Sequence, residues 1–170
     1  MSTLENLSIN AQLDTIADFV RYGTSQFNQA ELFFGHGTDN AWDEAIVLVM
    51  YALALPEELF EQAKPCKLTD DEKSDVMSVF EARIEQGLPA AYITNFAKFV
   101  GLPFYVDERV LVPRSPIGEY IEKRFTPYFT ENQAPNRILD LCTGSGCIAL
   151  ACAHFFPEAE VDAVDLSLDA

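Results

Sequence analysis

The sequence predicts an α+β protein: an all-α N-terminal part over residues 1–95, a β-hairpin linker over 96–113, and from 114 the start of a nucleotide-binding type of domain. Three observations carry this reading. Apolar residues recur at helical spacing up to about residue 95, and a strict apolar–polar alternation takes over from Phe96. The last stretch, "ILDLCTGSGCIALACAHFFPEAEVDAVDLSLDA" (138–170), then reads as a strand, a glycine-bearing turn, a helix and a second strand.

Taken in order, the first helix is expected from about Ile9 to Leu32, with Leu13, Ile16, Ala17, Val20 and Phe27 near one stripe. After the break at "FFGHGTDN", Asp39 or Asn40 can cap a second helix that begins near Ala41 and ends before Pro56. It contains the longest apolar run, Ala45 to Leu55; eleven residues are too few for a membrane span, which needs about 20. Thr69 and Glu72 form a capping box for a third helix that closes at Gly87. "FAKFVGLPFYVDERVLV" reads as the hairpin, turning at Gly-Leu-Pro, with Lys98, Asp107 and Arg109 outward. Ser115 and Pro116 offer an N-cap and a first-turn proline for a helix running to about Phe129.

The formal charge is −16, and residues 1–100 hold 16 acidic and six basic side chains, a balance of −10. Phosphate contacts need Lys and Arg, so the N-terminal part is a poor candidate for nucleic acid. It suits a basic protein partner, although an acidic surface also serves solubility alone. The start, "MSTLENLSINAQLD", has neither a basic n-region nor an apolar h-region, so the expected location is the cytoplasm. Cys66, Cys142, Cys147 and Cys152 lack a histidine pair, so buried reduced thiols are expected rather than a metal site, and His36 and His154 receive no catalytic role.

The glycine turn carries the chemistry. Gly144, Gly146 and Ala149 satisfy the spacing of a dinucleotide turn, and Asp165 stands where a carboxylate can accept from ribose hydroxyls. Asp140, four residues before Gly144, would repel a pyrophosphate at the helix N-terminus. S-adenosylmethionine has no phosphate and carries a sulfonium and an ammonium, so the acid favours a methyl donor.

"ILDLCTGSGCIAL" with "VDAVDLS" resembles the first two motifs of the class I S-adenosylmethionine-dependent methyltransferases, whose fold is Rossmann-like. "AAYITNFAKFVGLPFYVDERVLVPRSPIGEYI" is similar to the hairpin and "PR" segment of the protein-glutamine N5-methyltransferase family. Ser115 in "PRSPIGE", and Cys142 where release-factor enzymes carry the first glycine of the turn, resemble the branch that modifies a glutamine of a large-subunit ribosomal protein. The resemblance implies that Asp140, Thr143, Gly144, Gly146 and Asp165 line the donor site. It also implies that Arg114, Ser115 and Glu119 lie close to the cofactor or acceptor, with a structural pairing of Arg114 to Asp107 or Glu119 as the alternative.

The family's acceptor motif, Asn-Pro-Pro-Tyr, is absent from this sequence, so no catalytic residue is assigned. An amide nitrogen is a poor nucleophile and has to be gripped and aimed. The chain accordingly reads as the N-terminal part of such an enzyme, inactive on its own. The rival readings are a release-factor methyltransferase, an adenine-N6 methyltransferase disfavoured by the charge, and a module that only binds protein. One βαβ unit, with apolar faces uncovered and sheet edges open, is expected to fray, pair with another copy, or pack on the helical part.

Overall fold

The computed structural model describes residues 12–35, 37–129 and 133–170; His36 and the expected helix start at Ile9 lie outside them. Helix α1 spans Ile16–Gln29. It starts where it does because Thr15 and Asp18 form a capping box, with the Asp18 N–H donating to Thr15 Oγ1 (3.2 Å) and the Thr15 N–H to Asp18 Oδ2 (2.9 Å). Gln12 to Asp14 are therefore not helical, although Leu13 is buried. Helix α2, Ala41–Ala52, is capped by Asn40, whose Oδ1 accepts from the Asp43 N–H at 2.9 Å. A 3₁₀ turn at Glu57–Leu59 and a short helix α3 (Phe60–Ala63) lead to α4, Asp70–Glu85, which has the expected Thr69–Glu72 capping box. Helix α5 is Ala90–Thr94.

The core of this part is fully desolvated. Phe19, Val20 and Phe27 of α1, Ala45, Leu48 and Val49 of α2, and Val76 and Phe80 of α4 are all buried. Phe27 and Phe80 meet edge to face with centroids 5.3 Å apart. Phe80 lies so close over Gly23 that a Cβ there would stand 2.5 Å from its Cζ, so only glycine fits. A charge pair is sealed inside: Arg83 Nε donates to Glu44 Oε1 (2.6 Å) and Arg83 Nη2 to the Phe33 carbonyl (3.0 Å). The second carboxylate oxygen of Glu44 accepts from Thr38 Oγ1 (2.9 Å), so both buried charges are hydrogen-bonded.

Contacts group the chain into two units, Met1–Thr94 and Asn95–Ala170, with the hairpin in the second. Strands β1 (Ala97–Phe99) and β2 (Leu102–Phe104) pair antiparallel. The turn differs from the expected Gly-Leu-Pro. It is Val100-Gly101, both at positive φ (44° and 79°) as a two-residue hairpin loop requires, while Leu102 and Pro103 belong to β2. The strands are also shorter than the alternation suggested, because Asp107 and Arg109 close a local turn.

Helix α6, Ile117–Glu122, ends seven residues before the expected Phe129. Arg124 and Phe125 take positive φ, and Pro127 has no N–H with which to continue the helix. Strand β3 (Arg137–Leu141), helix α7 (Cys147–Phe155) and parallel strand β4 (Glu160–Val164) form the βαβ unit, in register from Arg137 opposite Glu160 to Leu141 opposite Val164. Helix and strand are thus both present in an α+β chain. Among the described residues no helix is long and apolar enough to cross a membrane.

Candidate functional site: a pocket at the glycine turn

The turn between β3 and α7 is built by backbone conformation. Cys142 (φ 60°), Gly144 (φ 53°) and Gly146 (φ 75°) are all left-handed, which throws the chain off the strand end and into the helix. The Thr143 N–H donates to the Val164 carbonyl (3.1 Å) and the Gly146 N–H to the Thr143 carbonyl (3.0 Å), tying the turn to β4 and to itself. Gly146 sits at the N-cap and has no side chain to cap with.

Asp140 supplies the missing cap from the strand. Its Oδ2 accepts from Thr143 Oγ1 (2.6 Å) and from the Ala149 N–H in the first turn of α7 (3.1 Å). Asp165, just past β4, is equally engaged: Oδ2 accepts from the Gly144 N–H (2.8 Å) and Oδ1 from the Ser167 N–H (2.9 Å). Those N–H groups, Ser167's first, hold its carboxyl below the usual carboxylate range. Each oxygen of an ionised carboxylate keeps a further lone pair, so Asp165 can still accept from a ligand.

A concave pocket of about 470 Å³ opens over this turn. One wall is the segment from Arg109 to Ser115, and the other is the turn from Cys142 through Ile148, with Asp165 and Ser167 at the rim. The structure thus brings Thr143, Gly144, Asp165, Arg114 and Ser115 to one pocket, although Arg114 and Asp165 are 51 positions apart in sequence. Of that turn Gly146 does not line the pocket, nor does Asp140, which ties the turn to α7 through Thr143 and Ala149. Glu119 faces a neighbouring shallow hollow of about 420 Å³ that shares Pro113, Arg114 and Ser115 with the first.

Of the two structural partners foreseen for Arg114, neither holds it. Asp107 pairs with Arg109 (2.6 Å), which pulls its carboxyl down to about 2, and Glu119 pairs with Lys123 (3.5 Å). Arg114 is exposed at the pocket with its guanidinium available to a ligand.

Cys147 and Cys152 are buried as expected, and burial pushes both thiols up. Cys66 and Cys142 are exposed instead, Cys142 because the left-handed turn carries it outward. His154 lies edge to face with Phe155, away from the pocket lining. Among the described residues no group of three or more His, Cys, Asp or Glu could hold a metal ion. Sequence reasoning missed Ser167, which latches Asp165, and the capping of Ala149 by Asp140. A carboxylate near a strand end, four residues before the first glycine of a turn that opens a helix, was the available signal for the second.

No protein-family model matches the chain. It is 48% identical over 159 residues, 94% of its length, to the ribosomal protein uL3 glutamine methyltransferase of Neisseria gonorrhoeae. It is 47% identical over the same length to the protein of that name from Neisseria meningitidis serogroup B. The match takes in 53% and 52% of those proteins, so the chain spans about half the length of the curated relatives it matches. Over nearly all of its own length the chain is similar to these two ribosomal protein uL3 glutamine methyltransferases.

Proposed function

We propose that the chain is the donor-binding and substrate-recognising part of an S-adenosylmethionine-dependent methyltransferase that modifies a glutamine of ribosomal protein uL3 in the cytoplasm. The 48% identity over 94% of the chain carries this reading. In it, residues 1–95 recognise the substrate, 96–113 connect, and 114–170 begin a Rossmann-like donor domain.

The pocket fits a cationic nucleoside better than a dinucleotide. A pyrophosphate would need open N–H groups at the start of α7, yet Ala149 already donates to Asp140, whose charge would oppose a phosphate there. The same charge attracts a sulfonium. When bound, the donor supplies a methyl group made electrophilic by that sulfonium.

The chain's own residues bind and orient. Asp165 accepts from the ribose hydroxyls through lone pairs that Gly144 and Ser167 leave unused. Arg114 offers a cation to the donor's carboxylate, and Pro113 and Ser115 close the opposite wall against water. The sequence holds no Asn-Pro-Pro-Tyr to grip the carboxamide, so we assign these residues donor binding rather than transfer.

Calorimetric titration with S-adenosylmethionine and with NAD⁺ tests the reading. The methyl donor is expected to bind more tightly, and Asp165→Ala to weaken it by at least about tenfold, the loss of one charge-assisted hydrogen bond. Preferential NAD⁺ binding, or an unchanged affinity in the variant, would overturn it.

A further inference from the structure

The charged side chains that line the pocket at the glycine turn are Arg109, Arg114 and Asp165, two cations to one carboxylate. That balance suits an anion, whereas the methyl donor carries two cationic groups against one carboxylate. Asp107, which is not on the lining, resolves the conflict. We propose, on the donor reading above, that Asp107 is a specificity-determining positioning residue: by holding and neutralising Arg109 it keeps the wall from repelling a sulfonium, and so sets how well the pocket tells the donor from its uncharged thioether.

The two arginines are held differently. Arg109 Nε donates to both oxygens of Asp107 (2.9 and 3.0 Å), Nη2 donates to Oδ2 (2.6 Å), and the Arg109 backbone N–H donates to Oδ1 (3.0 Å). Closing the turn after the hairpin needs only the backbone contact, and the Asp107 carbonyl already accepts from the Val110 N–H (3.1 Å). The side-chain fork is additional. It fixes the guanidinium on the carboxylate in the planar, two-point geometry that Arg can make and Lys cannot. Arg114 keeps its charge for a ligand, since Asp107 is taken by Arg109 and Glu119 by Lys123.

An ion pair this exposed adds little to stability, so its consequence lies in the field it leaves at the pocket. With the pair formed, the wall presents one uncompensated cation, Arg114, which matches the one carboxylate of the donor. Asp107 stays ionised at neutral pH because Arg109 pulls its carboxyl down to about 2, so the neutralisation is present throughout that range. Without the Asp107 charge, Arg109 would stand unbalanced on the wall. A unit charge about 8 Å from a second one in water changes affinity by about twofold, and by more where pocket walls lower the dielectric.

S-adenosylmethionine and S-adenosylhomocysteine differ by one methyl group and the sulfonium charge, so the ratio of their dissociation constants reports the field at the sulfur. The test is calorimetric titration of the chain with each ligand at low ionic strength. Asp107→Asn keeps the shape of the side chain and is expected to raise the ratio of methionine-form to homocysteine-form Kd about threefold. Asp107→Asn/Arg109→Gln removes both charges and is expected to return the ratio to the wild-type value. A merely structural turn would instead weaken both ligands alike and leave the ratio unmoved. Glu160→Gln takes the same charge from an ion pair with Arg137 at the far end of β4, about 16 Å from Asp165 by strand rise, and should not move the ratio. An unmoved ratio in Asp107→Asn, a ratio still raised in the double variant, or an equal rise in Glu160→Gln would overturn the role of Asp107, with the donor reading intact on wild-type binding. Failure of the wild-type chain to bind either ligand would overturn both.

Discussion

The helical unit and the βαβ unit follow opposite logics. In the first, the large side chains interlock until Phe19, Phe27, Leu48 and Val76 have no exposure left. In the second, Leu139 (58%) and Leu141 (65%) of β3 and Val164 (51%) of β4 face solvent, and Leu166 is 99% exposed. Helix α7 packs against these two strands, yet Leu139 and Leu141 on one face of β3 stay exposed, whereas parallel sheets are ordinarily covered on both faces. The helical unit therefore draws its stability from packing. The βαβ unit draws its shape from hydrogen bonds that Asp140 and Asp165 make around one turn.

Removing a buried charge partner gives the largest contrast. Arg83→Ala leaves Glu44 sealed and uncompensated and is expected to cost about 4 kcal/mol in urea unfolding followed by helical circular dichroism. Glu44→Leu with Arg83→Met, which removes both charges, should recover most of that loss. A single Arg83→Ala costing no more than an ordinary surface change would show that the pair is solvated in practice.

Leucine truncation probes the same contrast in both units. Leu48→Ala opens a void in the helical core and is expected to cost about 3 kcal/mol. Leu139→Ala removes a side chain that already faces solvent and should cost less than about 0.5 kcal/mol. Comparable costs would mean that Leu139 is covered in solution. Sedimentation of the wild-type chain over a concentration series would then ask whether a second copy covers it.

What the sequence revealed follows the same division. Local chemistry was legible: Asn40 and the Thr69–Glu72 pair cap helices where their side chains foretold, and the strand–turn–helix–strand order from Arg137 to Val164 stands. Errors arose where two local signals competed. Leu13 and Ile16 extended the apolar stripe and hid the Thr15–Asp18 box that starts α1. Pro103 drew the hairpin turn toward itself, whereas a β-branched residue, Val100, takes the left-handed position that composition would give to glycine. The meeting of Arg114 and Ser115 with the glycine turn depends on tertiary packing, and only the family resemblance hinted at it.

The glycine turn can be sharpened by restoring the residue its backbone favours. Cys142 is exposed and sits at φ 60°, where a side chain costs about 1–2 kcal/mol and glycine nothing. Against this, glycine loses about 0.5–1 kcal/mol through the freer unfolded chain. Cys142→Gly is thus expected to protect the Thr143 and Gly144 amides from hydrogen exchange by a net of about 0.5–1 kcal/mol. Helical-unit amides should not change. A destabilised turn would mean that the thiol makes a contact worth more than the strain.

The smallest effect concerns the latch at Asp165. Its carboxyl is held below the usual range by the Ser167 and Gly144 N–H groups, so the folded form binds its proton more weakly than the unfolded chain does. The stabilisation is consequently complete above the ordinary carboxylate pKa and is lost only as pH falls through the lower, folded value. The Gly144 and Ser167 amide resonances are expected to titrate together with a midpoint below that of an unperturbed aspartate, and Asp165→Asn should abolish the transition. Core amides such as those of Val20 and Leu48 should stay constant through the same range, since no carboxylate accepts from them. A shared midpoint at or above the ordinary aspartate value would mean that the two N–H groups do not hold the carboxylate in solution. The glycine turn would then be shaped by Asp140 and the left-handed backbone alone.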